Sequence, residues 1–189
     1  YLCGKDEFKK RDGKVRDNHS LDIVECLSCG LVFLSRTKLP KGFYEQSCMH
    51  SGEPQPIEEW RRDTDRDDGR RFSYLSEPMT NRDVLDFGCG GGFLLHGLEC
   101  ARKIGYEINP NARKHAESLG IDTVSSFDEL EDDSFDVVIL NHALEHVPTP
   151  FESLKQLYRV LAPGGLLVLV LPCEQSTDVE FNFNPNDIN

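Results

Sequence analysis

The residues best suited to chemistry stand in the run Val84-Leu85-Asp86-Phe87-Gly88-Cys89-Gly90-Gly91-Gly92-Phe93. An apolar stretch ends in an acid and breaks into glycines. Without a Cβ, glycine lets backbone N–H groups approach a ligand closely. The spacing is Gly-x-Gly-x-Gly. It departs from the Gly-x-Gly-x-x-Gly of dinucleotide sites, because Phe93 stands where the third glycine would be. An acid just before the glycines suits a ligand that brings a positive amino group rather than a pyrophosphate. Glu107 follows Gly88 by 19 residues, about where an acid that accepts ribose hydroxyls belongs. A carboxylate takes both hydroxyls at once, which a neutral side chain does poorly. Ser125-Ser126, with Asp128, falls where an adenine would lie. The segment Asn141-His142-Ala143-Leu144-Glu145-His146-Val147 follows another apolar run. His142 and His146 are candidate general bases there, although histidine serves as readily as a satisfied polar core residue. Cys89 reads as a small residue that lets the backbone donate, in preference to a nucleophile. His96 and His115 read as surface or packing residues of helices.

These groups need elements to position them. Strands are expected near residues 83–87, 103–108, 122–124, 135–140 and 165–171, and helices near 91–101, 110–119 and 150–162. Asn109-Pro110 and Thr149-Pro150 are helix starts, with proline at the first helical position. Pro163-Gly164-Gly165 ends the last helix and leads into Leu166-Leu167-Val168-Leu169-Val170-Leu171, which is apolar on both faces as a central parallel strand should be. Strand–helix alternation implies a parallel sheet covered on both sides, with ligands at the carboxyl ends of its strands.

Taken together, these strand ends resemble the class I S-adenosylmethionine-dependent methyltransferases, and the glycine run is similar to their motif I. The resemblance covers about residues 82–175 and takes in Leu157-Tyr158-Arg159-Val160-Leu161-Ala162-Pro163-Gly164-Gly165 as the helix and fifth strand. It implies an α/β fold with a Rossmann-like, doubly wound, mainly parallel sheet that lacks the family's last two strands. It also implies that S-adenosylmethionine is the cofactor. Asp86, Gly88, Cys89, Gly90, Gly92 and Phe93 would cradle its methionine portion. Glu107 would bind the ribose, Ile108 would pack on adenine with Ser126 nearby, and Asn141 would lie beside the sulfonium.

Residues 1–36 carry Cys3-Gly4 and Cys26-Leu27-Ser28-Cys29-Gly30. Cys26 and Cys29 have zinc-knuckle spacing, and Leu2-Cys3-Gly4 looks like the tail of a second knuckle whose partner falls outside this chain. Cys3, Cys26 and Cys29 are therefore the candidate metal ligands, with His19 as a possible fourth, and a structural zinc is expected in the complete protein. The other reading is three unmetallated thiols in a small β module, which would then lack a reason to fold. The phrase Cys29-Gly30-Leu31-Val32-Phe33 with Phe43-Tyr44 resembles the front end of methyltransferases that join a zinc ribbon to a class I domain, some linked to sugar or polysaccharide biosynthesis. That resemblance implies a small-molecule acceptor of the same class.

The expected organisation is a ribbon-like module at 1–36, a linker or cap at 37–81, and the cofactor-binding domain at 82–189. In the middle segment a charged helix over about residues 57–75 would make apolar contacts through Trp60, Phe72 and Leu75, while Tyr44 and Trp60 would help shape the acceptor pocket. Net charge is −12, and residues 82–189 hold 18 acidic against 7 basic side chains, which argues against a nucleic-acid partner. No membrane span or signal peptide is visible, and seven irregularly spaced cysteines fit a reducing cytoplasm. Tyr1 in place of Met, and an end that closes no element, point to a truncated chain. Two other functions stay open at this point: a nicotinamide-dependent oxidoreductase, and a non-catalytic binding module that keeps the cofactor fold.

Overall fold

The computed structural model describes residues 2–15, 20–35, 42–46 and 57–171. They form two sheets that belong to separate compact units.

The first is a three-stranded antiparallel sheet of β1 (Phe8–Arg11), β2 (Ile23–Cys26) and β3 (Val32–Leu34), in that order. The register pairs Phe8 with Cys26 and Ile23 with Leu34. Ile23 and Cys26 are buried, and the Phe8 and Phe33 rings meet edge to face at 5.2 Å. So small a sheet has little apolar area to stabilise it.

The second unit begins with α1 (Phe43–Gln46) and α2 (Ile57–Met79). There follow β4 (Asp83–Phe87), α3 (Phe93–Gly97), β5 (Arg102–Tyr106), α4 (Pro110–Ser118), β6 (Asp122–Val124), β7 (Phe135–Asn141), α5 (Pro150–Val160) and β8 (Leu161–Val170). All five strands are parallel, in the order β6-β5-β4-β7-β8. The parallel sheet anticipated from strand–helix alternation is the observed architecture. The chain runs outward from β4 through β5 to β6, then returns to the other side of β4 with β7. The switch point therefore lies between β4 and β7, where open α/β sheets bind ligands.

Alternation along the strands divides the core between two faces. Val84, Val137 and Ile139 pack with Leu75, Met79, Leu95, Ala116 and Ile121 on one face. Leu85, Val138 and Leu140 pack with Phe135, Leu157 and Val160 on the other. The α2 residues Phe72, Leu75 and Met79 fall at helical spacing, and Phe72 lies where a Cβ on Gly97 would be. The Trp60 side chain lies outside the described residues.

Three expectations about elements are corrected. Helix α3 is one turn and a half, far shorter than 91–101. Gly90 and Gly92 hold positive φ angles of 54° and 79°, and Leu98 is already extended. Helix α5 ends at Val160, and β8 begins at once. Between Leu161, opposite Phe135, and Leu166, opposite Val137, the Pro163-Gly164-Gly165 stretch bulges out of register. Finally, β8 is an edge strand among the described residues, with Leu166, Leu167 and Leu169 exposed. An apolar run reports a demand for burial, not whether neighbours meet it.

Candidate functional site

The carboxyl ends of β4, β5 and β7 lie side by side. Asp86 pairs with Gly105 on one side and Ile139 on the other, so Asp86, Glu107 and Asn141 come from three adjacent strands. Asp86 is 2% exposed. Asp86 and Asn141 both take part in other interactions, and their Oδ1 atoms are buried without a hydrogen-bond donor among the described residues. These acceptor oxygens, with the Glu107 carboxylate, suit a ligand that brings an amino group and hydroxyl donors.

The glycine loop after β4 is held by the end of β5, by Glu107 and by one bond of its own. The Gly88 and Cys89 N–H groups donate to the Tyr106 carbonyl at 2.8 and 3.2 Å, and Gly92 donates to Cys89 at 2.9 Å. The Gly90 N–H donates to Glu107 Oε2 at 3.0 Å. The N–H groups of Gly88, Cys89 and Gly90 are thus engaged by Tyr106 and Glu107, and that of Gly92 within the loop. What the glycines supply is close packing at positive φ. At Gly88 (φ 80°) a Cβ would meet Ala143 Cβ at 2.8 Å, and at Gly92 (φ 79°) it would meet Ala116 Cβ at 2.9 Å and Ile121 Cδ1 at 2.7 Å. The Cys89 side chain turns inward against Gly105 while its N–H donates to Tyr106. Burial there pushes its thiol well above the usual range, which disqualifies it as a nucleophile.

Glu107 stands just past β5. Its Oε1 accepts the Asn109 N–H at 2.7 Å while Oε2 holds Gly90. Arg113 Nη1 donates to the Glu107 and Ile108 carbonyls at 2.9 and 3.3 Å. Burial raises the Glu107 carboxyl above its ordinary value, and the Asn109 and Gly90 N–H groups oppose that rise. Ile108 and Phe93 are half-buried beside the loop.

Ser126 closes a single helical turn over Phe127–Glu129. Its hydroxyl accepts the Asp128 N–H at 3.2 Å, and Glu129 Oε1 accepts those of Ser125 and Ser126 at 2.9 and 2.8 Å. Its hydroxyl therefore caps a turn. Glu129 went unremarked in the sequence, although Ser-x-x-Glu is the signature of such a box. Also unremarked was the stack of Phe87, Tyr106 and Phe127, with ring centroids 4.7 to 5.6 Å apart. These three belong to different elements, and no local pattern joins them.

At the end of β7, His142 takes a positive φ of 52° and donates its backbone N–H to Val170 at 2.9 Å. Its Nδ1 lies 3.2 Å from Glu145 Oε1. His146 meets the half-buried Tyr44 ring edge to face at 5.8 Å. Burial lowers the His146 imidazole below its usual value and raises the Tyr44 phenol, so both are neutral near pH 7. The two histidines and Tyr44 are thus gathered at one strand end.

In the antiparallel sheet the Sγ atoms of Cys3, Cys26 and Cys29 lie within 4.8 Å of one another. Gly30, at φ 73°, returns its N–H to the Cys26 carbonyl at 2.9 Å and makes the knuckle turn. Three sulfurs this close suit a thiophilic cation such as zinc. His19 lies outside the described residues.

Residues 85–169 match the family model of a methyltransferase domain. The ubiquinone biosynthesis O-methyltransferase of Roseobacter denitrificans is 36% identical over 103 residues, covering 49% of this chain and 42% of that protein. Its counterpart in Sodalis glossinidius is 33% identical over 110 residues, covering 50% and 44%. The chain thus spans less than half the length of these two relatives. An S-adenosylmethionine-dependent methyltransferase from Archaeoglobus fulgidus superposes with a TM-score of 0.53 at 25% identity, over 65% of this chain and 61% of that one.

Proposed function

Residues 85–169 form a methyltransferase domain of the class I S-adenosylmethionine-dependent type, and on that premise we propose that this chain serves methyl transfer to a hydroxyl oxygen of a small molecule. The observation that carries the reading is Glu107. Its carboxylate sits at the end of the strand beside the glycine loop and fastens that loop through Gly90. Two ribose hydroxyls would donate to the outer lone pairs of this carboxylate. Asp86 would receive the amino group, Ile108 would lie against adenine with Ser126 at that end, and Asn141 would border the reacting centre. Gly88, Cys89, Gly90, Gly92 and Phe93 would shape the wall around the methionine portion.

When bound, the cofactor supplies a methyl group already activated on a sulfonium. The protein's own tasks are then alignment, exclusion of water and removal of one proton. We assign that proton to His146. Its imidazole is held neutral by burial, so its ring nitrogen would take the proton of the acceptor hydroxyl when the bound cofactor donates its methyl group. His142, fixed by Glu145, is the second candidate for this role. Oxygen is the acceptor atom proposed because the relatives named above are O-methyltransferases. Those relatives act in ubiquinone biosynthesis and lend no support to a sugar or polysaccharide acceptor.

Residues 1–36 are proposed as a zinc-ribbon-like module held by Cys3, Cys26 and Cys29, residues 37–81 as a linker and cap, and 82–189 as the catalytic domain. The zinc would be structural. A reducing cytoplasm is the proposed setting, and among the described residues no helix is long and apolar enough to cross a membrane. Calorimetric titration with S-adenosylhomocysteine, with NADH as control, tests the assignment. Micromolar binding of the first alone is expected. Binding of NADH alone would transfer the chain to the oxidoreductases.

A further inference from the structure

We infer that His115, a residue of α4 outside the motif, is a positioning residue that clasps the glycine loop in its binding shape. The inference rests on the cofactor reading above. The His115 Nδ1 lies 2.7 Å from the Gly91 carbonyl oxygen. A carbonyl only accepts, so Nδ1 carries the proton and donates. The ring also lies against Phe93, centroid to centroid 4.9 Å. His115 thus touches the loop at both the glycines and the first residue of α3.

The bond matters because of where it falls in the loop. The peptide unit joining Cys89 to Gly90 is held at both ends. Its N–H donates to Glu107 and its carbonyl accepts from Gly92. The peptide unit joining Gly91 to Gly92 is also held at both ends. Its N–H donates to Cys89 and its carbonyl accepts from His115. The unit between Gly90 and Gly91 is thereby set from both sides. Without His115, the second hold is left with the Gly92–Cys89 bond alone. Glycines offer no steric preference of their own to compensate.

Helix α4 is well anchored for this task. Asn109 caps it through bonds from the Asn111 and Ala112 N–H groups at 2.9 and 3.3 Å. The Asn109 N–H in turn donates to Glu107 Oε1. Ala116, next to His115, packs directly under Gly92. Glu107 therefore grips the loop directly through Gly90 and indirectly through α4 and His115. The acid assigned to the ribose and the loop assigned to the methionine portion form one closed circuit. A preformed loop binds more tightly because its ordering is already done before the ligand arrives.

The test compares His115→Leu with His115→Asn, whose Nδ2 stands near the place of Nδ1 and keeps the donor. S-adenosylhomocysteine affinity is read by calorimetry, and amide hydrogen exchange of residues 89–92 is read without ligand. His115→Leu is expected to weaken binding about fivefold to tenfold, the scale of one hydrogen bond. It should also speed exchange in the loop more than in β7. His115→Asn should recover most of both. KM for the cofactor should rise with kcat unchanged, since the contact is present before and during reaction. Wild-type affinity and exchange in His115→Leu, or an Asn variant as weak as Leu, would overturn the clasp while leaving the cofactor reading intact. A wild-type chain that binds no S-adenosylhomocysteine would overturn both.

Discussion

The Glu107 carboxylate receives the Gly90 N–H at 3.0 Å, so the acid at the end of β5 and the loop at the end of β4 are tied together. Replacing Glu107 therefore removes two things together, the proposed ribose contacts and the anchor of the loop. Glu107→Ala is expected to weaken S-adenosylhomocysteine binding about 100-fold, the combined scale of two charge-assisted hydrogen bonds. Asp86→Ala should weaken it at least about tenfold by the same reasoning. Calorimetry decides the matter, and normal binding by both variants would show the site to be elsewhere.

Affinity should fall on acidification, with Glu107 as the sensing group. Ribose hydroxyls donate to the ionised carboxylate, so binding favours that form. Burial raises its folded pKa above the usual 4.5, and affinity is therefore lost as pH falls through that raised value. The stability of the free protein moves the other way. The folded state holds the proton more tightly than the unfolded chain, so this group adds stability as pH drops into the same window. Titrations and thermal melts across mildly acidic pH should show opposite slopes, and Glu107→Gln should flatten both.

His146 should govern turnover on the acid side. Its imidazole lies below the usual 6.5 because of burial, so kcat should hold as pH drops through 6.5 and fall only below the lowered value. His146→Ala should lower kcat about 100-fold, in the range of general-base catalysis, with little effect on cofactor affinity. Tyr44→Ala uncovers the imidazole and should move its pKa up toward 6.5. An NMR titration of the histidine ring protons reads that shift, and an unmoved value would remove Tyr44 from the site.

Gly92 is expected to tolerate no side chain. A Cβ there would lie 2.9 Å from Ala116 Cβ at a φ of 79°. Gly92→Ala should cost about 2–4 kcal/mol in stability, from strained backbone and overpacking together. Adding Ala116→Gly should recover only a share of the packing part, because the Cβ would still lie 2.7 Å from Ile121 Cδ1. Urea unfolding of the two variants separates the contributions.

Zinc should bind in a ratio of one per chain and depend on the three thiolates. Cys26→Ser should abolish uptake measured by atomic absorption, whereas Cys89→Ser should leave it unchanged. Chelation should loosen β1–β3 and leave the parallel sheet folded. Retention of zinc by Cys26→Ser would place the metal elsewhere.

Much of this was legible along the chain. Apolar runs marked β4 and β7, and Asn109-Pro110 marked the start of α4, because both signals are local. The glycine run and the acid after β5 are also local, so Asp86 and Glu107 were named from spacing. Their meeting at one end of the sheet follows from right-handed strand–helix–strand crossovers, which place successive strand ends together. The thiol triad was half legible, since Cys26-x-x-Cys29 is a knuckle, whereas Cys3 needed β1 to pair with β2 to reach it.

Other parts depended on contacts between distant segments. Spacing shows that glycines make a loop, but the partners of the loop N–H groups appear only once Tyr106, Glu107 and Cys89 surround them. His115 looked like any helix residue until α4 was laid against the loop. The aromatic stack, the Tyr44–His146 contact and the inward turn of Cys89 belong to the same class. The sequence by itself determined which residues carry charge, conformational freedom and apolar surface, because those are properties of single residues and their near neighbours. Only the tertiary structure decided which of them hold one another, because hydrogen bonds and packing act over a few ångströms between atoms that the chain keeps tens of residues apart.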